Sequence, residues 1–440
     1  MREKFLKLSD VIGLGLAALL THLSIFVCYA RDADPPRPCS YASPQMQLSI
    51  LFGMVLFILW RNRFQGEENS FWATWRRNWL VGLFIGLAFL SLGWTALFSA
   101  TIYRSILILF TAWIAAYVGY RFSPRNLVDF IAVVIGVFAA ASLLVALVWP
   151  SAGITWAYAY EGLWRGIFWH KIYLGATMAL GYIAYLVILF SPASQYNLVH
   201  KSLAAVMLAL CTVLAVLSNS ASGLVVFAIQ TGLFILVKAW LAWGGRISRR
   251  GYWILGGVAA LGLVLVLANL GFIFGLFGRS ATMTGRIPMW SHVFEAYVLQ
   301  RPLLGHGFGA FWLQPGINQQ VQSVVGWYYP VKVADNGYLD VLLGLGVIGL
   351  VLLLAMLATG LWRALRVAVQ GRDLISFFPL FMLAHIIFIN ISLSYIVEME
   401  SFIWFLLVAI LFMVSKDVGH VSVGHASSVT IGINVTGLFW

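Results

Sequence analysis

Charge is what this chain lacks most. Asp, Glu, Lys and Arg make up only 10% of its 440 residues. A soluble domain of ordinary composition carries about 25%. Apolar residues reach 62%, so a water-soluble globule is excluded and an integral membrane protein is implied. Cysteine is nearly absent as well. Cys28, Cys39 and Cys211 form no spaced set, and only Cys39 falls clearly outside a predicted span. That pattern supports neither a disulfide framework nor a metal site. The chain also lacks internal repeats and low-complexity segments. Its first apolar run has no small-residue cleavage site, so it reads as a retained span and not a cleaved signal peptide.

What the chain does contain is a succession of apolar runs of roughly 17 to 25 residues. Runs of that length argue helical spans; barrel strands would alternate in polarity. They place spans near 9–29, 46–60, 79–99, 102–120, 127–149, 172–190, 203–217, 223–240, 252–274, 338–361, 374–391 and 401–415. The expected fold class is therefore all-α and polytopic, with about 12 transmembrane helices and a large outer loop between spans 9 and 10. One membrane domain covers 1–415, and 416–440, rich in Gly, Ser and Val, reads as a cytoplasmic tail.

Basic residues set the orientation. Arg2/Lys4/Lys7, Arg61/Arg63/Arg76/Arg77, Arg121/Arg125, Arg246/Arg249/Arg250 and Arg363/Arg366/Arg372 fall on one side if both termini are cytoplasmic. The net charge of +12 is then mostly a topology signal, and nucleic-acid binding is not implied. Arg31, Arg37, Arg104, Arg165, Lys171, Arg279, Arg286, Arg301 and Lys332 run against the trend, on the outer face. Most of them lie in two long outer loops, 150–171 and 278–336.

The larger loop carries the chemistry. Thr284-Gly285-Arg286-Ile287-Pro288 reads as a helix start, with Thr284 able to cap and Pro288 tolerable in a first turn. Ile287, Trp290, Phe294 and Tyr297 follow at helical spacing and predict an apolar stripe for the membrane surface. Arg301-Pro302 ends that helix. Gly305, Gly307 and Gly309 then allow close backbone approach around His306. Asp335-Asn336-Gly337-Tyr338 leads into the tenth span. Arginine holds phosphate oxygens bidentately and stays charged. Arg279 and Arg286 at a membrane mouth thus suit an anionic lipid head, Arg301 and His306 lie beside them in sequence, and Asp335 offers a general base. Each residue also has a plainer reading. A lone outer arginine can snorkel to headgroups, the histidines can be loop residues, and Asp340 can complement a helix dipole. In the smaller loop, Trp164-Arg165 and His170-Lys171 read as a re-entrant or interfacial piece or as an anchoring belt at the interface.

The run Thr284-Gly285-Arg286 … Trp290 … Arg301-Pro302-Leu303-Leu304-Gly305-His306-Gly307-Phe308-Gly309 resembles the O-antigen ligase and polysaccharide polymerase superfamily, and within it the exopolysaccharide polymerases of the ExoQ type. Asp335-Asn336-Gly337-Tyr338-Leu339-Asp340, Trp164-Arg165-Gly166-Ile167-Phe168 … His170-Lys171 and Ser218-Asn219-Ser220-Ala221-Ser222-Gly223 carry the same resemblance. It implies a C-type (GT-C-like) membrane glycosyltransferase of the bacterial inner membrane that needs no metal and no cofactor. The donor would be an undecaprenyl-pyrophosphate-linked glycan on the periplasmic side, and the acceptor a glycan hydroxyl. The match implies Arg279, Arg286 and Asp335 as catalytic residues, with Arg165, His170, Lys171, Arg301, His306, Asn336 and Tyr338 binding substrate. A flippase and a chain-length regulator are implied partners. Family ligases carry His where this chain has Asp335, which favours a polymerase over a ligase acting on lipid A-core or protein. A lipid-linked sugar transporter is the alternative of another class, and a metal-dependent enzyme using Asp32 and Asp34 is a further one.

Overall fold

The computed structural model describes residues 51–58, 68–155, 161–168, 170–243, 285–326, 331–396 and 402–416. The expected first and ninth spans, Arg279, Thr284 and nearly all of the tail lie outside these residues. Where the other expected runs fall on described residues they are helical, apart from a corner after Leu90. We label them α1 (Glu68–Arg77), α2 (Trp79–Leu90), α3 (Phe98–Arg121), α4 (Pro124–Val148), α5 (Lys171–Phe190), α6 (Leu198–Ser218) and α7 (Ala221–Trp243). The large loop contributes α8 (Arg286–Val293) and α9 (Ile317–Val325); α10 (Gly337–Gly371), α11 (Leu374–Ile389) and α12 (Phe402–Met413) complete the series. Six of these, α3 to α7 and α10, are long and apolar enough to cross a membrane. Helices α2, α11 and α12 are shorter but equally apolar.

Local sequence explains where the helices start. Ser123 accepts from the Asn126 N–H and Pro124 fills the first turn of α4. Asn197 caps α6, Asp373 caps α11 and Asn336 caps α10, each with a side-chain oxygen on an otherwise unpaired N–H. One boundary differs from expectation. The third span stops at Leu90 and turns through Ser91–Gly93, and the fourth already starts at Phe98. The apolar run near 79–99 hides this corner because its residues suit a helix on either side of the break.

Helix α5 forms the centre of the bundle, packed against α4, α6, α7 and α11. Its contact with α7 is close because both sides are glycine: a Cβ on Gly223 would lie 2.8 Å from the Gly175 carbonyl carbon. Backbone approach through small residues is how helices associate where the solvent is itself apolar. Helix α3 packs on α12, and α10 on α2 and α11.

Helix α10 is broken near its start. Gly346 has φ 65° and ψ −166°, which interrupts the helical ladder. The freed groups find partners in the loop before it. His306 and Gly307 donate their N–H groups to the carbonyls of Leu343 (2.8 Å) and Gly344 (3.0 Å). In the other direction Val347 donates to Pro302 (2.8 Å) and Ile348 to Leu303 (3.4 Å). A buried unpaired peptide group is costly, so the break persists because this loop segment fills it. The glycine run makes the fit possible: Gly305, Gly307 and Gly309 all have positive φ.

The large loop has its own core. Met289, Val293, Val298, Phe311, Trp312 and Val321 are buried together against Leu339 and Leu343 of α10. The expected surface stripe is only half right. Ile287 and Phe294 are exposed, but the face turned inward is that of Met289 and Val293. A π turn at Phe294–Val298 then shifts the register, so Tyr297 points back into the loop, where its ring meets Phe311.

Candidate functional site

The turn Ala334-Asp335-Asn336-Gly337 sits at the head of α10. Asp335 adopts the left-handed conformation, φ 50°, which is uncommon for a residue with a side chain. The surroundings hold it there. Ala334 is fixed at both ends of its peptide, its N–H reaching both oxygens of Asp340 at 3.2 Å and its carbonyl accepting from Trp290 Nε1 at 2.7 Å. Asp340 also accepts from Trp312 Nε1 at 2.6 Å. On the far side, Asn336 N–H donates to Ser394 Oγ, and Gly337 N–H is shared by the carbonyls of Asn390 and Leu393. Asp340 is thus more than a charge at a helix start: it ties α10, the Trp312 segment and the Asp335 turn together.

Across from this turn stands Arg286, the first residue of α8. Gly285 occupies the capping position in the left-handed region, φ 86°, with no side chain to cap, so the capping role expected of Thr284 does not belong to the residue directly before the helix. The guanidinium grips one carboxylate oxygen: Nε is 3.0 Å and Nη2 2.9 Å from Asp335 Oδ2. The side chains are 12% and 24% exposed, so the pair is sheltered but reachable. Oδ1 of Asp335 has no partner among the described residues. The two residues expected to act on pyrophosphate and acceptor are therefore in direct contact, 49 positions apart in sequence.

Arg279 lies outside the described residues; the other expected site residues carry structural bonds. Arg301 Nη1 donates to the Trp94 carbonyl (3.2 Å), and Trp94 Nε1 donates back to the Leu304 carbonyl (3.1 Å). His306 is buried, with Nε2 3.0 Å from the Tyr297 carbonyl. A carbonyl only accepts, so Nε2 carries the proton and Nδ1 is the basic nitrogen. Burial lowers the His306 pKa; the bond to Tyr297 opposes that shift and Arg301 adds to it. Tyr338 donates its hydroxyl to the Ile387 carbonyl, and Asn336 is spent as the cap of α10.

In the smaller loop, Arg165 reaches back to the carbonyls of Ala152 (2.8 Å) and Ser151 (3.4 Å). His170 caps α5 through Nδ1. Lys171 is buried and donates to the Asn219 carbonyl at 3.1 Å. This loop still meets the same end of the bundle as Asp335, because Tyr173 packs edge-on against Tyr395, next to the Ser394 that holds Asn336.

Several residues here escape a reading of the sequence. Arg104 binds the Gly309 carbonyl, which locks the glycine run onto α3. Trp290, Trp312, Asp340, Asn390 and Ser394 build the cradle of the Asp335 turn. One signal could have found part of it: Asn390-Ile391-Ser392-Leu393-Ser394 is a polar run directly after an apolar helix, and Asn390, Ser392 and Ser394 are buried. Among the described residues no cluster of three or more His, Cys, Asp or Glu could hold a metal ion.

Comparison with known proteins now adds an independent line. The family described as O-antigen ligase matches residues 203–354. That stretch holds Arg286, Asp335, Asp340 and the broken start of α10. The exopolysaccharide production protein ExoQ of Rhizobium meliloti (strain 1021) is 30% identical over 209 residues, 44% of this chain and 46% of that protein. The match therefore spans just under half the length of the curated relative. Taken with the apolar helices, these findings describe a polytopic membrane protein that is similar over residues 203–354 to the O-antigen ligase family.

Proposed function

We propose that this protein is a membrane glycosyltransferase that polymerises lipid-linked repeat units of an exopolysaccharide or O-antigen-type glycan. In this reading about 12 spans form a GT-C-like domain over 1–415, both termini are cytoplasmic, and loops 150–171 and 278–336 face the periplasm of a bacterial inner membrane. The Arg286–Asp335 contact carries the reading. An acceptor hydroxyl attacks the anomeric carbon of the donor glycan. The bond from that carbon to the pyrophosphate oxygen breaks, and the electron pair leaves on undecaprenyl pyrophosphate. The hydroxyl proton passes to Asp335. Arg286 and Arg279 stabilise the charge on the departing pyrophosphate.

The ion pair gives this scheme an order of events. Pyrophosphate and Asp335 compete for one guanidinium. Donor binding draws Arg286 away and leaves the carboxylate free to accept a proton. Arg165, His170, Lys171, Arg301, His306, Asn336 and Tyr338 hold the walls of the site rather than the reacting atoms, and no step calls for a metal ion. A flippase to supply the donor and a regulator of chain length are the expected partners.

A ligase is the second reading, favoured by the description of the matching family. Purified protein given only undecaprenyl-pyrophosphate-linked repeat units distinguishes the two. A polymerase lengthens them; a ligase leaves them unchanged until a separate acceptor is added. Unchanged lengths in the first arm would reject the polymerase. A transporter reading gains the broken helix α10, a feature of such proteins, but the loop at 302–307 fills the break with protein.

A further inference from the structure

The large loop carries a second polar face that the Arg286–Asp335 contact does not use. From Pro302 to Val331 the sequence contains no Asp, Glu, Lys or Arg. A stretch of roughly 30 residues at ordinary soluble composition carries about seven. Amides stand in their place: Gln314, Asn318, Gln319, Gln320 and Gln322 fall together, all but the first on α9. Helix α9 buries Val321 in the loop core, with Ile317 and Val325 packed beside it. Successive helical residues turn by about 100°, so Asn318, Gln319 and Gln320 fan over the other side. Gln319, Gln320 and Ser323 are exposed there.

These side chains hold unused hydrogen-bonding capacity. Gln319 has no partner among the described residues. Gln320 accepts the Tyr297 hydroxyl at Oε1, 2.7 Å away, and its two amide N–H groups have no partner among those residues. Ser323 donates its hydroxyl to the Gln320 carbonyl and keeps its oxygen as an acceptor. Asn318 Oδ1 is buried without a partner, a state that costs free energy until a donor reaches it. A side-chain amide offers two donors and an oxygen with two lone pairs, which complements a hydroxyl, itself both donor and acceptor. The face has no cation to hold a phosphate, and Val324 is the exposed apolar side chain beside it. An uncharged ligand rich in hydroxyls, a neutral saccharide, fits this chemistry. Helix α9 packs on α8, which Arg286 opens. Tyr297 lies at most roughly 17 Å further along, at 1.5 Å per residue, so a chain of several sugars with its end at Asp335 reaches Gln320.

We propose that Asn318, Gln319, Gln320 and Ser323 bind the hydroxyl groups of a neutral stretch of the acceptor glycan, beyond the sugar that reacts; the acceptor role rests on the polymerase reading, and the saccharide site does not. The test uses full-length protein in a detergent without a sugar head. Binding of cellohexaose, laminarihexaose and maltohexaose is followed by saturation-transfer NMR. At least one of them binds, and Gln319→Ala and Gln320→Ala each weaken it about two- to tenfold, the range for one lost neutral hydrogen bond. Gln319 is exposed, so its replacement leaves the fold in place. Gln370→Ala, at an exposed glutamine near the far end of α10, binds as the parent does. No binding of any of the three, equal loss in Gln370→Ala, or parental binding in the Gln319→Ala/Gln320→Ala double variant would overturn the site. So would tighter binding of an oligogalacturonate, which would mark a site for anions. A second arm supplies undecaprenyl-pyrophosphate-linked repeat units. The double variant makes shorter polymer than the parent from the same amount of consumed donor, and parental lengths would overturn the acceptor role. If the parent lengthens nothing, the polymerase reading falls and the binding arm alone decides the saccharide site.

Discussion

Arg286 places two nitrogens on a single oxygen of Asp335, at 3.0 and 2.9 Å, and the other oxygen has no partner among the described residues. A pair built only for stability gains little at such a place; partly exposed ion pairs contribute about 0–1 kcal/mol. Activity and stability should therefore separate. Asp335→Asn should lower polymerisation by roughly 10²–10⁴-fold, the range for a lost general base. Its melting temperature in detergent should stay close to that of the parent protein. A variant that melts much earlier and keeps its residual activity per folded molecule would assign the pair to the fold alone.

Arg286→Lys probes the other half of the contact. Lysine keeps the charge but cannot present two N–H groups in one plane. Polymer yield should fall sharply, to little more than that of Arg286→Ala, with normal protein levels in the membrane. Near-complete activity in Arg286→Lys would mean that a point charge suffices and that the planar grip has no part in the chemistry.

Asp340 supports this turn from beneath. Its carboxylate satisfies Trp312 Nε1 and the Ala334 N–H, and Asp340→Ala would leave both unpaired. Each buried donor without a partner costs about 1–3 kcal/mol. We expect Asp340→Ala to melt early and to lose activity with it. Asp340→Asn keeps one accepting oxygen and should recover much of the stability. Equal melting of Asp340→Ala and the parent protein would remove Asp340 from the cradle.

How far the sequence anticipates all this depends on the range of each interaction. Span positions are legible, where the structure describes them, because apolar length is a local property. Asp335, Asn336 and Arg286 stand out as polar residues beside apolar runs. Their contact does not, since nothing local links positions 49 apart. The break at Gly346 is hidden for another reason. Leu345-Gly346-Val347 is as apolar as any span, and the break is stable only because Pro302, Leu303, His306 and Gly307 supply the missing bonds. His306 shows burial that its local sequence does not announce. A histidine between two glycines in an outer loop reads as a loop residue or a substrate contact, and the fold buries it with Nε2 on the Tyr297 carbonyl.

Gly346 is the sharpest test of the broken helix. A Cβ there would sit 2.2 Å from the Leu303 carbonyl carbon, at a φ of 65° that L side chains avoid. Gly346→Ala should fail to accumulate or melt far below the parent. Gly162 offers the control: φ is 78°, but no atom of the described residues lies within 4 Å of an added Cβ. Gly162→Ala should cost only the conformational penalty of about 1–2 kcal/mol. Similar behaviour of the two variants, by thermal melting in detergent, would show that loop 302–307 is not seated in the break.

His306 makes stability depend on pH. Burial lowers its pKa in the folded protein below the ordinary value near 6.5. Below that ordinary value the unfolded chain takes up a proton that the folded chain resists, so unfolding gains free energy as pH falls. The contribution of this residue is complete above pH 6.5 and is lost progressively as pH falls from there toward the lowered folded pKa. Melting temperature should therefore drop on acidification below 6.5 and hold steady just above it. His306→Gln keeps a donor for the Tyr297 carbonyl but does not titrate here, so its melting curve should be flatter over the same window. A parent protein and a His306→Gln variant with parallel pH profiles would trace the acid sensitivity to another group.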